Sequence, residues 1–193
     1  MLEPLTEHEF LKIKELLISV SGIQLKEDLG YLVESRLTDL AEEIGAKSFS
    51  ELHRAMAIDS EIILTRVIDL MTTNETFWFR DDSCLNVLEN QILPLLFQYL
   101  QEQTREKAKI WSAGCSTGQE PYSLAILIDE LSKKSWNGVS PNRFSILATD
   151  ISNSALFLAK SGRYDAFNIK RGLSEKRKTQ YFYQERETWK VRE

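Results

Sequence analysis

Near the middle of the chain, a short apolar segment leads into a loop of small residues and then into an amphipathic helix. Lys109–Ala113 predicts a strand, Gly114–Gly118 a tight loop, and residues 121–133 a helix with an apolar stripe. Phe144–Thr149 predicts a second strand, and a further helix follows it. This order of strand, helix, strand and helix is typical of the start of a doubly wound α/β domain with a parallel sheet.

The first 71 residues predict helices only. Thr6 and Glu9 have the spacing of a capping box, and apolar residues follow at helical intervals as far as Ser21-Gly22. Three further helices with short connections are predicted, at residues 25–44, 48–56 and 60–71. Four amphipathic helices of this length indicate a small helical bundle. A second long helical stretch is predicted over residues 82–103, with an interruption at Pro94 that starts a new helix.

The small-residue loop is suited to hold a ligand at the end of the first strand. Gly114 and Gly118 allow a sharp turn and let a ligand approach the backbone, and the helix behind them directs free N–H groups forward. The loop is not a Walker loop, because Gln119 follows Gly118, and Ser116 breaks a G-x-G-x-x-G pattern. From the loop alone, a ligand site and a tight turn without a ligand remain equally open.

Asp150 directly follows the second predicted strand. An acid at this position accepts hydrogen bonds from the ribose hydroxyls of a nucleotide that the preceding loop holds. A lone Asp at a strand end is also a common helix cap or turn residue. Because the glycine-containing loop precedes it, ribose binding is the interpretation we favour.

The net charge of −5 is distributed unevenly, with an acidic front and a basic tail. The basic residues are not interleaved with aromatic residues for base stacking, so no nucleic-acid partner is predicted. We interpret the basic residues of segment 170–178 as a solvated helix face, with a surface for an acidic partner as the alternative. The charge pattern alone does not decide between them.

No membrane-spanning or secretory segment is visible in the sequence. The longest apolar run, near Leu95, is too short to cross a bilayer, and the N-terminus lacks a basic segment leading into an apolar one. Cys84 and Cys115 do not suggest a disulfide framework, and His8 and His53 lie on predicted amphipathic helices. We therefore expect a cytoplasmic protein with no direct membrane insertion and no metal site.

Several segments resemble motifs of the CheR-type chemotaxis receptor methyltransferases. Trp111–Ser123 resembles the cofactor motif of this family, and Thr72–Arg80 resembles its linker motif. Four shorter segments are also similar to the family in order and spacing: Ser21–Ile23, Leu32–Leu37, Ala148–Ser152 and Gly162–Tyr164. The resemblance covers essentially the whole chain.

The resemblance implies an α/β protein in which an N-terminal helical bundle precedes a partial class I S-adenosylmethionine-dependent methyltransferase domain of Rossmann-like fold. It implies a helical domain over residues 1–71, a linker over 72–82 that contributes to the cofactor site, and the partial cofactor-binding domain over 83–193. Residues 181–193 are expected to start a β-subdomain with a hairpin.

The resemblance also implies a set of residues that bind S-adenosylmethionine: Asn74, Thr76, Arg80, Gly114, Glu120 and Asp150. Asn74, Thr76 and Arg80 are expected to contact or flank the methionine end, Glu120 to bond in the same region, and Asp150 to hold the ribose. A guanidinium suits the cofactor carboxylate, whereas an ion pair of Arg80 with a neighbouring aspartate is the less favoured alternative. Phe77, Trp78 and Phe79 are expected either to line the cofactor or to pack at a domain hinge.

The implied reaction is methylation of glutamate carboxylates on the cytoplasmic domains of chemotaxis receptors, as part of sensory adaptation. A glutamate with a pKa of about 4.3 is already ionised at neutral pH, so the enzyme needs no base and mainly aligns the reactants. No catalytic residue is singled out, and Cys115 is expected to be a packing residue. The second predicted helix offers only Lys26 and Arg36 as bases, which is a poor docking face for an acidic receptor.

The family continues beyond the point where this sequence ends, so we expect the chain to be C-terminally incomplete. A parallel sheet with two strands exposes apolar edges and faces. Weak or no catalysis, and oligomers formed through the open sheet edge, are the expected consequences. A non-catalytic fragment or partner-binding module is therefore the alternative function, and a dinucleotide-dependent oxidoreductase is a distant third.

Overall fold

The computed structural model describes residues 2–58, 61–103, 106–136 and 138–192. The chain divides into two compact units, of which the first ends at Thr73 and also takes in Ile151–Asn153. The second comprises Asn74–Asp150 and continues from Ser154. In the part of the chain that is described, no helix is both long and apolar enough to cross a membrane.

Among its described residues, the first unit contains four α-helices, which are α1 (Glu7–Ser21), α2 (Gly30–Glu43), α3 (Phe49–Ile58) and α4 (Glu61–Met71). The predicted capping box is confirmed, because the Thr6 hydroxyl accepts from the Glu9 N–H and the Glu9 carboxylate accepts from the Thr6 N–H. Ser60, where we predicted the start of the fourth helix, lies outside the described residues.

The core of the helical unit is formed by apolar residues that recur at helical spacing on all four helices. The side chains of Leu17, Leu37, Leu40 and Phe49 are fully buried in it. This burial is what holds short helices of this kind in place, since they are marginal on their own.

Glu9 is a buried carboxylate in the helical unit, with 7% of its surface exposed. It accepts hydrogen bonds from the backbone N–H and hydroxyl of Thr6 and from the same two groups of Ser50, at 2.7–3.0 Å. Burial by itself raises the pKa of Glu9, but these bonds from Thr6 and Ser50 outweigh it and lower the pKa to about 2. Glu9 therefore fastens the start of α3 to the start of α1.

Arg36, on α2, has a structural role within the same unit. One guanidinium nitrogen donates to the carbonyl oxygens of Leu70, Met71 and Thr72 at 3.1–3.3 Å. These carbonyls belong to the end of α4, where backbone acceptors lack intrahelical partners. Of the two bases that the sequence offered as a docking face, Arg36 is thus engaged as a helix cap, while Lys26 is exposed.

The helical stretch after the linker is continuous rather than broken at Pro94. Helix α5 (Asp82–Val87) passes through a π-helical turn, Leu88–Ile92, into α6 (Leu93–Glu102). Pro94 lies in the first turn of α6. The prediction that a helix begins there is correct. The chain is not interrupted before it, because a single π turn, with its i→i+5 hydrogen bonds, connects α5 to α6.

Strands β1 (Ala108–Ala113) and β2 (Phe144–Thr149) form a parallel pair, with α7 (Gln119–Ser135) between them in the chain. On one face of this sheet, Ile110 and Ile146 pack on a core that includes Phe97. On the other face, Trp111 and Leu147 lie opposite each other and are 69% and 60% exposed. The α/β fold predicted from the sequence is confirmed, including the apolar face that a two-stranded sheet leaves open.

Helix α8 (Asn153–Ser161) follows β2, and the remaining elements are β3 (Arg163–Tyr164), α9 (Glu175–Tyr181), β4 (Phe182–Glu185) and β5 (Thr188–Val191). The predicted hairpin is present as β4 and β5. The sequence did not predict that β5 also pairs with β3, in antiparallel register, which gives a second sheet of order β3–β5–β4.

Trp78 is the centre of an aromatic core in the second unit. It is fully buried, with its ring 4.8 Å from that of Tyr164 and 5.1 Å from that of Phe182. Its indole N–H donates to the Asn168 carbonyl at 3.0 Å, and its backbone N–H donates to the Arg171 carbonyl. Trp78 therefore has a packing role, but within the core of the second unit rather than at the expected domain hinge.

The interpretation of segment 170–178 as a solvated helix face is wrong for most of its basic residues. Lys170 and Arg171 precede α9, and Arg177 forms a two-pronged ion pair with Glu130 of α7, at 3.0 and 2.8 Å. Lys178 is only 8% exposed and bonds to Glu175. Arg177 thus connects α9 to α7, whereas Lys178 bonds within α9 and lies 4.7 Å from the centroid of the Trp189 ring. The spacing of the basic residues alone did not indicate these roles.

Candidate functional site

The two parallel strands end at the same edge of the sheet, where Ala113 pairs with Thr149. The segment Gly114–Gly118, here called the glycine loop, begins at this edge. The backbone N–H groups of Gly114 and Cys115 both donate to the Thr149 carbonyl, at 2.8 and 2.9 Å. The loop is therefore tied to the carboxyl end of β2, which is where open α/β sheets bind their ligands.

Three of the five residues of the glycine loop have left-handed backbone conformations, with φ of 72° at Gly114, 48° at Ser116 and 96° at Gly118. For a serine this conformation costs about 1–2 kcal/mol. The Ser116 N–H donates to Asp150 Oδ2 at 2.7 Å, and its hydroxyl donates to the Asn74 carbonyl at 3.0 Å. These two bonds offset the strain and join the loop to β2 and to the linker.

The two glycines of the loop have different surroundings. A Cβ added to Gly114 would meet no atom within 4 Å, so the backbone there faces open space. A Cβ on Gly118 would lie 3.0 Å from the Cβ of Ala159 and 3.1 Å from the hydroxyl oxygen of Tyr164. The space that a ligand would need is therefore present beside Gly114, whereas protein atoms fill the corresponding space beside Gly118.

Asp150 lies immediately beyond β2 and is half-buried beside the glycine loop. Its bond from the Ser116 N–H fixes one carboxylate oxygen against the loop backbone. A carboxylate held in this way can accept hydrogen bonds from the hydroxyl groups of a ligand at the same edge.

Glu120 lies in the first turn of α7 and is exposed. One of its carboxylate oxygens accepts from the hydroxyl of Ser112, a buried residue near the end of β1, at 2.5 Å. Glu120 is thus oriented by the strand that leads into the glycine loop, and its position in the first helical turn is favourable for an acidic side chain.

The three linker residues that were expected to bind the cofactor have different surroundings. Asn74 reaches the glycine loop through the bond from Ser116, and Thr76 is half-buried two residues further on. Arg80 turns back on its own segment, where a guanidinium nitrogen donates to the Glu75 carbonyl at 2.9 Å. The aspartate that follows Arg80, Asp81, caps α5 instead of forming the ion pair weighed above.

The linker is also fastened to the segment before α9. Glu75 pairs with Arg171 at 2.6 Å, and this bond is the main reason that the pKa of Glu75 lies below its usual value. Both side chains are largely exposed, so the pair contributes little stability of its own. It does keep Arg171 close to the ring of Phe77, 4.9 Å from the ring centroid.

Cys115 is buried within the glycine loop. Burial raises the pKa of its thiol, and the carboxylates of Asp150 and Glu120 raise it further. A thiol is a nucleophile only as the thiolate, so the surroundings of Cys115 oppose that role and agree with the expected packing role. In the described part of the chain, no group of His, Cys, Asp and Glu side chains could hold a metal ion.

Two residues of the site were not recognised in the sequence. Ser116 was noted in the loop without a role of its own, and serine is not among the residue types enriched at positive φ, so its type gave no signal of its conformation. Tyr164 was noted in a motif without a role, yet its hydroxyl donates to the Thr117 carbonyl at 2.9 Å. That contact joins residues 47 positions apart, and no local pattern predicts it.

Comparison with known proteins identifies the family. Residues 74–193 match the family model described as CheR methyltransferase, SAM binding domain. The chain is 39% identical over 175 residues to "Chemotaxis protein methyltransferase Cher2" of Pseudomonas putida and 41% identical over 174 residues to "Chemotaxis protein methyltransferase 1" of Pseudomonas aeruginosa. It is 38% identical over 179 residues to "Chemotaxis protein methyltransferase 1" of Vibrio cholerae.

These matches cover 90–92% of this chain and 62% of each relative, so the chain spans less than two thirds of the length of the curated proteins that it matches. The matched family domain contains all six residues that the sequence assigned to the cofactor, and S-adenosylmethionine is the cofactor of that domain. The chain therefore belongs to the CheR methyltransferase family.

Proposed function

We propose that this chain is part of an enzyme that transfers the methyl group of S-adenosylmethionine to glutamate carboxylates on the cytoplasmic domains of chemotaxis receptors. The observation that carries the proposal is the junction at Ser116, which bonds to both Asp150 and Asn74. It brings the linker, the glycine loop and the end of β2 to one edge of the sheet. The names of the relatives support the methyltransferase part of the proposal.

The residues at this edge fit the cofactor in shape and chemistry. The open space beside Gly114 lets a ligand lie against the loop backbone. Asp150 would accept hydrogen bonds from the ribose hydroxyls, while Glu120, Asn74 and Thr76 would bind near the methionine end.

Arg80 suits the carboxylate of the methionine end, because a guanidinium offers two parallel donors. In its present place the guanidinium donates to the Glu75 carbonyl and lies 5.6 Å from the centroid of the Phe77 ring. Rotation of this exposed side chain away from the linker would release the donors for a ligand.

The proposed reaction requires these residues to align the cofactor with the glutamate carboxylate, and it requires no proton transfer from them. When bound, S-adenosylmethionine supplies an electrophilic methyl group on a sulfonium that is a good leaving group. Asp150 and the glycine loop would fix the nucleoside part, and the linker would fix the methionine part. A glutamate carboxylate is already ionised at neutral pH, so no side chain of this site needs to remove a proton.

The proposal is tested by incubating the full chain with methyl-labelled S-adenosylmethionine and a receptor cytoplasmic fragment. In keeping with the weak catalysis expected of this chain, we expect a low level of label on the receptor. Alkali should release this label as methanol, as carboxyl methyl esters require. Replacing the labelled glutamates by glutamine should remove it. Binding of S-adenosylhomocysteine without any alkali-labile label would contradict the transfer reaction and favour a non-catalytic module that retains a cofactor site.

A further inference from the structure

Tyr164 lies at a junction between the second sheet and the glycine loop. It is 4% exposed, and its backbone pairs with Trp189 of β5. Its ring packs edge-on against Trp78, with 4.8 Å between the ring centroids. From this apolar setting its hydroxyl donates to the Thr117 carbonyl at 2.9 Å. The ring is thus fixed by packing, and its one polar atom is directed at the loop.

Gly118 provides a second, independent indication of the same contact. A Cβ at this position would lie 3.1 Å from the Tyr164 hydroxyl oxygen, so that the phenol reaches Thr117 because residue 118 has no side chain. Gly118, which was expected to let a ligand approach the backbone, therefore leaves space for the hydroxyl of Tyr164.

We propose that Tyr164 is a positioning residue for the cofactor. Through its bond to Thr117, it holds the glycine loop in the shape in which Gly114 faces open space and the Ser116 N–H meets Asp150. This inference rests on the proposed function, because it takes the glycine loop to be the cofactor site. A loop with a left-handed serine needs such restraint, since alternative loop shapes would relieve the strain at that residue.

Tyr122 of α7 offers a matched control. Its hydroxyl also donates to a backbone carbonyl, that of Ala159 at 3.0 Å, and burial raises the pKa of both phenols. The acceptor differs, because Ala159 belongs to α8 and not to the glycine loop. Tyr122→Phe and Tyr164→Phe therefore remove the same kind of bond, but only the second removes it from the loop.

The experiment compares the unmodified chain, Tyr164→Phe and Tyr122→Phe in three measurements: the melting temperature, amide hydrogen exchange of residues 114–118 without cofactor, and the calorimetric Kd for S-adenosylhomocysteine. We expect Tyr164→Phe to accelerate exchange in the loop and to raise Kd roughly five- to tenfold, the effect of one lost hydrogen bond. Tyr122→Phe should change neither, although both variants lower the melting temperature by similar amounts.

Two outcomes separate this inference from the proposed function. Equal loop exchange and equal Kd in the two variants would overturn the role of Tyr164. If the unmodified chain does not bind S-adenosylhomocysteine, but Tyr164→Phe alone accelerates exchange of the loop, the cofactor assignment fails while Tyr164 stands as the residue that fixes the loop.

Discussion

Glu9 in the helical unit and Asp150 in the α/β unit are both carboxylates that accept from backbone N–H groups, but their surroundings differ. Glu9 is buried, and four donors from Thr6 and Ser50 surround its two oxygens. Asp150 is half-buried at a sheet edge, close to a loop whose Gly114 faces open space. The comparison supports our proposal that the enclosed carboxylate of Glu9 stabilises the fold, whereas the carboxylate of Asp150 at the open edge binds a ligand.

The same contrast holds for two tryptophans of the second unit, and it gives the largest expected effect on stability. Trp78 is fully buried, whereas Trp111 is 69% exposed on the open face of the sheet. We expect Trp78→Ala to lower the free energy of unfolding by about 3–5 kcal/mol, and Trp111→Ala to change it by about 0.5 kcal/mol or less. Urea denaturation measures both.

Because Trp78→Ala removes a large part of one core, Trp78→Phe serves as the milder variant. It retains most of the packing and loses the indole bond to the Asn168 carbonyl. We expect Trp78→Phe to lower the free energy of unfolding by less than Trp78→Ala does. Similar losses in Trp78→Ala and Trp111→Ala would show that enclosure does not set the contribution of these side chains.

Glu9→Gln tests the enclosed carboxylate directly. Its folded-state pKa of about 2 lies below the usual value of 4.5, so the ionised form stabilises the folded state. That contribution, about 2–3 kcal/mol, is fully present above pH 4.5 and is lost as the pH falls from 4.5 towards 2. Denaturation of the unmodified chain and of Glu9→Gln at pH 7 and pH 3 measures it.

Glu15→Gln is the matched control for that experiment, because Glu15 lies on the same helix and is exposed. We expect it to leave both stability and the pH dependence unchanged. A Glu9→Gln protein that is as stable as the Glu15→Gln protein at pH 7 would show that the four bonds to Glu9 do not stabilise the fold.

The two loop glycines give the smallest expected effects on stability and the clearest separation of roles. Gly118→Ala should lower stability by at least about 2 kcal/mol, because the new methyl group crowds Ala159 and Tyr164 and the φ of 96° is strained for alanine. Gly114→Ala should cost only the backbone strain, about 1 kcal/mol, yet should weaken S-adenosylhomocysteine binding at least about tenfold by filling the open space. Denaturation and calorimetry on both variants make the comparison. A larger loss of affinity in Gly118→Ala would reverse our assignment of the two roles.

The periodic parts of the fold could be predicted from the sequence. The bounds of β2 are those expected, because an apolar run between Arg143 and Asp150 leaves little choice. The capping box at Thr6 has a local signature, and the structure contains it. The π turn before Pro94 was not predictable, because a single wider turn hardly changes the spacing of the apolar residues in a helical stretch.

Contacts between segments that are far apart in the chain could not be predicted from sequence patterns. Strand β3 has two residues and exists through its pairing with β5. Arg171 and Glu75 form an ion pair although they are 96 positions apart in the chain. The residue types at the edge where β1 and β2 end indicated a nucleotide site. The different roles of Gly114 and Gly118 depend on the atoms beside each backbone, and only the fold shows which atoms those are.

The most direct test of the cofactor site is calorimetric titration of the full chain with S-adenosylhomocysteine, alongside Asp150→Ala and Glu187→Ala. Glu187 is an exposed acid in the turn between β4 and β5 and serves as the control. We predict binding to the unmodified chain and to Glu187→Ala, and a loss of at least about tenfold in Asp150→Ala. Equal affinity in all three proteins, or no binding by a folded unmodified chain, would contradict the assignment of the cofactor to this edge.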